Sequence, residues 1–297
     1  MCGIVAYLGD HQAYPILING LKRLEYRGYD STGVALHEGS LDIYKKKGKV
    51  ADLENFVGDR SPQSTVGIGH TRWATHGEPN DKNAHPHYSS GGRLAIIHNG
   101  IIENYGAIKQ DLRDKGYQFE SDTDTEVLIN FIEDIQKEND CSLEEAVRIA
   151  LSKVIGAYAI VIMSEDNPDM LIAARKGSPM VIGVGKGGYF VASDATPIIE
   201  YTKDVIYLND DEIAIITRSE LSIKSIEDVA LTPYIQKLDM DLAEIEKGGY
   251  DYFMLKEIFE QPNSIADCMR GRLDAKKGSL VLGGISKYAD ALVNSKR

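Results

Sequence analysis

The second residue of the chain is a cysteine, and this position gives its thiol an uncommon chemical option. A small residue after Met1 permits removal of that methionine, which leaves Cys2 with a free α-amine whose ordinary pKa is about 8. The thiol and a general base then belong to one residue, and an adjacent base is what a weak nucleophile needs. The residue alone leaves another interpretation open, in which Met-Cys-Gly begins an edge strand and Cys2 is a small hydrophobe.

Polar residues elsewhere in the chain form compact groups that bear on this choice. The groups are CGIV at 2–5, LEYRGYDS at 24–31, HTRWATHG at 70–77, NAHPH at 83–87 and HNGIIEN at 98–104. Together they resemble the class II glutamine amidotransferases. Several branches of that family share the Cys-Gly-Ile start, but the EYRGYDS and HTRWATHG runs resemble the members that form hexosamines. The resemblance covers residues 1–239 and implies hydrolysis of L-glutamine to glutamate and ammonia through a Cys2 thioester.

Attack of a thiolate on an amide builds negative charge on the carbonyl oxygen, which needs fixed hydrogen-bond donors. The resemblance implies that the Asn99 side chain and the Gly100 backbone N–H are these donors. In the sequence Asn99-Gly100 follows a buried strand, and without the other groups the pair reads as a simple turn.

Recognition of free glutamine requires partners for its α-carboxylate and its α-ammonium. Arg72 can bind a carboxylate with two hydrogen bonds, and Asp124 can pair with an ammonium. The resemblance gives them these roles, adds Thr75 and His76 to the pocket, and makes Trp73 part of a lid over glutamine. Taken singly, Arg72 also fits a surface ion pair, Asp124 an acid at a helix N-terminus and Trp73 a core residue.

Other conspicuous residues have simpler interpretations. Arg27 and Asp30 belong to the family signature and are expected to support Cys2. Five histidines in the motifs lack the i, i+4 spacing of zinc enzymes, and the family uses no metal in this domain, so we expect neither metal nor cofactor. The glycines of 183–188 lack the phosphate-loop pattern and fit a hairpin turn.

Composition excludes several partners. A formal charge of −12 disfavours nucleic acid and anionic membranes, and the basic cluster Lys45–Lys49 is short enough to be a solvated hairpin face. No apolar run reaches the roughly 20 residues of a membrane span, and the N-terminus lacks a secretory signal, so we expect a cytoplasmic protein. Cys2, Cys141 and Cys268 are too few and too widely spaced for a disulfide framework or a structural zinc site.

The elements that position these residues are short strands interleaved with amphipathic helices. Helical periodicity predicts helices at about 12–26, 104–115 and 143–154, and another that opens at Thr123, where Thr123 and Glu126 match a capping box. Closely spaced apolar runs, among them 4–8, 66–68, 94–97 and 158–163, predict strands joined by tight turns. The pattern indicates an α+β class, and the resemblance specifies a four-layer αββα sandwich of antiparallel sheets, as in N-terminal nucleophile hydrolases.

Past Pro233 the sequence changes character. Residues 239–260 are acidic and helix-prone, and Pro262 is expected to end or kink that helix. The family resemblance implies a glutaminase domain at 1–239, followed at 240–297 by a linker and the start of a sugar isomerase half. Fructose 6-phosphate then binds only in that further half, and the full-length enzyme is expected to be a homodimer. The alternative is a sensor module that binds glutamine without turnover.

Overall fold

The computed structural model describes residues 2–60, 62–74, 77–238, 249–269, 273–274, 278–280 and 289–295. The chain divides into two compact units, Met1–Asp239 and Met240–Arg297. None of the described helices is long and apolar enough to cross a lipid bilayer.

The first unit is built mainly from strands. In chain order they are β1 (Gly3–Gly9), β2 (Ser31–His37), β3 (Leu41–Lys47), β4 (Val66–Arg72), β5 (His87–Tyr88), β6 (Leu94–Ile102), β7 (Gly156–Ser164), β8 (Met170–Lys176), β9 (Val181–Gly185), β10 (Gly188–Ala192), β11 (Asp204–Tyr207), β12 (Glu212–Thr217), β13 (Leu221–Ser225), β14 (Ala230–Leu231) and β15 (Gln236–Lys237).

Two antiparallel sheets collect these strands. The first has the order β15-β11-β9-β10-β1-β4-β2-β3, and the second has the order β14-β13-β12-β8-β7-β6-β5. Strand β1 is paired on both edges, with Val5 opposite Ala192 of β10 and Gly69 of β4. The residue that precedes β1, Cys2, therefore sits at the end of an interior strand.

Helices cover the outer face of each sheet. They are α1 (Ala13–Leu24), α2 (Val50–Val57), α3 (Tyr105–Asp114), α4 (Asp124–Asn139) and α5 (Leu143–Lys153). One core lies between the sheets, where Ile4, Ile68 and Ile97 pack together. A second core joins the other sheet to α4 and α5, with Ile96 and Val147 among its buried side chains. The α+β class and the αββα layering predicted from the sequence are confirmed.

The predicted helices lie close to the observed ones, and the end signal is clearest at the N-terminus of α4. Thr123 caps α4, and its hydroxyl accepts a hydrogen bond from the Glu126 N–H at 3.2 Å. The Glu126 carboxylate accepts from the N–H groups of Glu120 and Ser121, at 2.8 and 2.7 Å. Helix α1 ends at Leu24 and continues as a 3₁₀ turn, Glu25–Arg27, within the range predicted for one helix.

Three local expectations need correction. Asn99 and Gly100 do not follow a strand, because β6 continues to Ile102 and both residues pair with β7. Lys45 does not lie on a solvated face: its Nζ donates to the carbonyl oxygens of Lys82, Ala84 and Pro86 at 3.2, 3.0 and 3.4 Å.

The remaining correction concerns the second unit, where the helix α6 (Phe253–Met269) continues through Pro262, so of the two expected outcomes, an end or a kink, the end does not occur. The predicted helical residues 239–248 lie outside the described part of the chain. The other described elements of this unit are β16 (Leu273–Asp274), β17 (Ser279–Leu280) and α7 (Ala289–Asn294).

In the first unit, the glycines at 183–188 form the predicted hairpin, with Gly185 opposite Gly188.

Candidate active site

The Cys2 thiol lies where β1 begins, beside the end of β4. Its Sγ accepts a hydrogen bond from the Trp73 backbone N–H at 3.2 Å. Burial raises the pKa of this thiol, while the Trp73 N–H and the charge of Arg72 lower it in part. Since the net shift is upward, the thiol holds its proton at neutral pH and requires a base before it can attack a substrate.

Two glycines let the chain approach this close. Added to Gly28, a Cβ atom would lie 2.9 Å from the Arg72 carbonyl carbon and 3.0 Å from the Trp73 nitrogen. Gly3 is similarly confined, with Thr71 Oγ1 only 2.7 Å from the position of a Cβ. These contacts explain why glycines occupy these positions in the CGIV and LEYRGYDS motifs.

Asn99 faces the gap between the sheets and reaches Cys2. It shares the face of β6 that carries Ala95 and Ile97, both of which lie in the core between the sheets. Its Nδ2 donates to the Cys2 carbonyl oxygen at 3.1 Å, and its Oδ1 lies 2.9 Å from Nε2 of His70. The amide is therefore held at both ends, next to Cys2.

Gly100 has a backbone conformation that other residues rarely adopt. Its φ is 131°, and a Cβ atom would lie only 2.0 Å from the Ala157 carbonyl oxygen. The residue is exposed and lines the same pocket as Cys2. Its N–H lies in the chain segment that the family resemblance indicates for the oxyanion.

Arg72 is the last residue of β4 and is only 4% exposed. Its guanidinium donates to the carbonyl oxygens of Gly77 and Glu78, at 3.4 and 3.5 Å. Burial lowers the pKa of Arg72, and the opposing charges of Cys2, Asp30 and Asp124 partly offset that effect. A buried cation within reach of the pocket is suited to a carboxylate ligand.

Asp124 is the first residue of α4 and is 6% exposed. One oxygen, Oδ2, accepts a hydrogen bond from the Ile102 N–H at 2.8 Å, which ties the carboxylate to the end of β6. The flanking hydroxyls hold the same helical turn. Thr123 Oγ1 lies 3.1 Å from His87 Nε2, and Thr125 Oγ1 lies 3.0 Å from His98 Nδ1.

Most of the predicted site residues line one narrow pocket. Its lining consists of Cys2, Arg72, Trp73, His85, His98, Gly100, Thr123, Asp124 and Thr125. The cavity measures about 20 Å³, close to what one water molecule occupies. This volume is smaller than an amino acid. Trp73, which is 44% exposed and contacts Tyr29 edge-on, is one of the exposed residues of the lining.

The remaining predicted residues either lie away from the pocket or fall outside the residues that the structure describes. Thr75, His76 and Met1 fall outside the described residues. Arg27 does not line the pocket; its Nη1 lies 3.4 Å from Asp194 Oδ2. Ser193, the residue before Asp194, binds the start of β1, since its Oγ accepts a hydrogen bond from the Ile4 N–H at 3.1 Å.

Sequence reasoning missed part of the lining. His85 and His98 belong to the motifs but were weighed individually only as possible metal ligands, Thr123 was considered only as a helix cap, and Thr125 was not singled out. The available signal was the NAHPH motif and the placement of Thr123 and Thr125 on both sides of an acid. Among the described residues, no group of three or more His, Cys, Asp or Glu side chains is arranged to hold a metal ion.

The chain belongs to the glutamine amidotransferase family, whose domain model matches residues 59–240. Its relatives include the glutamine–fructose-6-phosphate aminotransferase (isomerizing) of Bacteroides thetaiotaomicron, which is 57% identical over 300 residues covering 100% of this chain and 49% of that protein. The enzyme of the same name from Chlorobaculum tepidum is 54% identical over 301 residues, again 100% of this chain and 49% of the relative. The chain thus spans about half the length of the curated relatives that it matches.

Solved structures support the same family. The glutamine phosphoribosylpyrophosphate amidotransferase from B. subtilis, complexed with ADP and GMP, superimposes with a TM-score of 0.66 at 27% identity. The match covers 76% of this chain and 49% of that one. The sandwich of two sheets is therefore the architecture that other glutamine amidotransferases also use.

Proposed function

We propose that this chain hydrolyses L-glutamine to glutamate and ammonia, with Cys2 as the nucleophile. The observation that carries the proposal is one pocket that holds a thiol, a buried guanidinium and a buried carboxylate, from Cys2, Arg72 and Asp124. The opposite charges of Arg72 and Asp124 match the carboxylate and ammonium of a free amino acid, and a thiol in the same pocket matches an amide at the end of its side chain.

The chemistry begins with removal of Met1, which frees the α-amine of Cys2. That amine takes the thiol proton, and the thiolate attacks the side-chain amide carbon of glutamine to form a tetrahedral intermediate. The C–N bond then breaks, ammonia leaves with the proton that the amine carried, and a thioester remains. Water attacks the thioester, which releases glutamate and returns the proton to the thiol.

Two donors stabilise the negative oxygen of each tetrahedral intermediate, the Asn99 Nδ2 and the Gly100 N–H. The proposal for Asn99 is supported by its 3.1 Å hydrogen bond to the Cys2 carbonyl oxygen, which keeps the amide beside the nucleophile. An amide nitrogen has two N–H groups, so one remains for the substrate. Removal of such a donor costs roughly a hundredfold to a thousandfold in kcat.

Covalent labelling tests the assignment of the nucleophile. The glutamine analogue 6-diazo-5-oxonorleucine, followed by peptide mass spectrometry, is expected to modify Cys2, and intact mass is expected to show active protein without Met1. Cys2→Ala is expected to abolish ammonia release while glutamine binding, measured by calorimetry, survives. Cys141→Ala, at a half-buried cysteine outside the pocket, is the matched control and leaves both unchanged. Labelling at Cys141 or Cys268 overturns the assignment, and glutamine binding by the unmodified chain without ammonia release indicates a sensor module.

The wider context is proposed on the similarity to the aminotransferases. Residues 240–297 are a linker and the start of a sugar isomerase half, which takes fructose 6-phosphate and converts it with the released ammonia to glucosamine 6-phosphate for hexosamine synthesis. The full-length protein is a cytoplasmic homodimer. Ammonia release without amino-sugar product is the outcome expected from this chain alone.

A further inference from the structure

We propose that His70 is a positioning residue that orients the Asn99 amide, so that its N–H groups and not its oxygen face the reaction. The inference rests on the proposed glutaminase function and adds a residue to that site. His70 lies on β4 and Asn99 on β6, in different sheets, and their side chains meet across the gap between the sheets.

The hydrogen-bonding state of the His70 ring follows from a backbone carbonyl. Nε2 lies 3.1 Å from the carbonyl oxygen of His98, and a carbonyl oxygen can only accept. Nε2 therefore carries the hydrogen. The same hydrogen is shared with the Asn99 side-chain atom at 2.9 Å, which must then be the acceptor oxygen Oδ1.

The hydrogen bond at the nitrogen end of the Asn99 amide independently indicates the same orientation. The atom 3.1 Å from the Cys2 carbonyl oxygen must be a donor, because that oxygen also can only accept. Two fixed carbonyl groups, of His98 and Cys2, thus allow a single orientation of the amide. In the reversed orientation Oδ1 would meet the Cys2 carbonyl oxygen and face the developing negative charge, and the donor would be lost.

The surroundings of His70 favour the neutral form of its ring, in which the single hydrogen is the one that Nε2 donates. The ring is 0% exposed, and the His85 ring packs against it with centroids 4.3 Å apart. Burial lowers the pKa of His70 to about 3, the bond to Asn99 opposes that shift, and the Arg72 charge adds to it. Among the described residues Nδ1 has no hydrogen-bond partner, as expected for the nitrogen without a hydrogen.

A pair of polar substitutions separates orientation from packing. In His70→Gln the side-chain nitrogen can take the place of Nε2 and donate to Asn99, whereas in His70→Asn the shorter amide takes the place of Nδ1 and cannot reach it. We expect His70→Asn to lower kcat for glutamine about tenfold to a hundredfold with little change in KM, and His70→Gln to recover most of that loss.

Alkylation of Cys2 by iodoacetamide measures the reactivity of the thiol in a reaction that forms no oxyanion. If His70 acts only through Asn99, the rate of Cys2 alkylation stays the same in both variants. The Asn99→Ala background completes the test, since His70→Asn is then expected to cost nothing further in kcat. His70→Leu serves in place of His70→Asn if that variant fails to fold, as judged by thermal melting.

Three results overturn the proposal. The first is an unchanged kcat in His70→Asn. The second is an equal loss of kcat in His70→Gln and His70→Asn together with slower alkylation of Cys2 in both, and the third is a loss of kcat from His70→Asn that is as large in the Asn99→Ala background as without it. Failure of the function itself looks different, because the unmodified chain then releases no ammonia from glutamine.

Discussion

The Asp30 carboxylate accepts a hydrogen bond from the Ala74 backbone N–H at 2.8 Å. The backbone N–H of Asp30 in turn donates to the Arg72 carbonyl oxygen at 3.0 Å. These two bonds enclose Trp73, whose own N–H points to the Cys2 thiol. Asp30 of the LEYRGYDS motif thus holds the segment that contacts the Cys2 thiol and contains Arg72, the proposed partner of the substrate carboxylate.

Loss of the Asp30 acceptor is expected to loosen that segment. Asp30→Ala removes a charge-assisted hydrogen bond, and we expect kcat/KM for glutamine hydrolysis to fall about tenfold, which corresponds to about 1.4 kcal/mol. Asp30→Asn keeps an acceptor oxygen and is the matched control, with a loss of about threefold or less. Ammonia release at several glutamine concentrations measures both. Equal losses in the two variants would show that charge, and not the bond to Ala74, is what matters.

A methyl group at Gly28 is expected to displace the Arg72–Trp73 segment, which is proposed to bind glutamine. The contacts of 2.9 and 3.0 Å to the Arg72–Trp73 peptide are shorter than real Cβ atoms tolerate, so the backbone must shift by several tenths of an ångström. Gly28→Ala should raise KM for glutamine about tenfold, because Arg72 moves away from the carboxylate. Gly106→Ala, on a helix with nothing within 4 Å of the new Cβ, is the control. Unchanged kinetics in Gly28→Ala would contradict the assigned role of Arg72.

The pairing of Asp124 with the substrate ammonium predicts a change in substrate preference. Glutaramate, the analogue of glutamine without the α-amino group, cannot use that pairing. We expect the unmodified chain to prefer glutamine in kcat/KM by about a hundredfold or more, and Asp124→Asn to reduce the preference to within about tenfold. Asparagine keeps an acceptor for the Ile102 N–H, so the fold is retained. If the variant lost activity equally on both substrates, Asp124 would not be the ammonium partner.

Four buried histidines predict a loss of stability in acid. Burial lowers the pKa of His70 to about 3, holds those of His85 and His87 well below their ordinary value, and lowers that of His98. The unfolded chain takes up these protons near pH 6.5, and the folded chain does not, so the free energy of unfolding falls as the pH drops from about 6.5 towards 3.

The slope of that pH dependence can be measured by urea unfolding between pH 8 and pH 5. Each buried histidine contributes up to about 1.4 kcal/mol per pH unit. His87→Gln keeps a donor for Thr123 and should reduce the slope by about that amount, while His11→Gln, at an exposed histidine, should leave it unchanged. A slope that is the same in all three proteins would contradict the burial of neutral His87.

The sequence predicted those parts of the fold that depend on local chemistry. Helix α4 could be placed because Thr123 and Glu126 form hydrogen bonds within six residues of chain, and the hairpin at 183–188 because glycine permits its turn. Helix α2 was not predicted, since its eight residues are short and only Val50, Leu53 and Val57 are buried. Short elements are decided by what they pack against, which local sequence does not state.

For the candidate site as well, the sequence predicted some features and not others. The motifs and the family resemblance named Cys2, Arg72 and Asp124, and the structure brings them to one pocket. The strand assignment of Asn99 was wrong because Asn-Gly is a strong turn signal and the pairing with β7 outweighs it. The partnership of Asn99 with His70 could not be found, since it depends on the spacing of two sheets whose strands are far apart in the chain.

The interior position of β1 has a consequence for the motions of the nucleophile. Edge strands such as β3 and β15 open first in local fluctuations, whereas a strand paired on both sides opens only when much of the sheet unfolds. The amides of Ile4 to Leu8 are therefore expected to be among the slowest in the chain to exchange with deuterium. Cys2 lies two residues before this segment and directly before β1, so we expect its sulfur to be anchored to a part of the protein that fluctuates little.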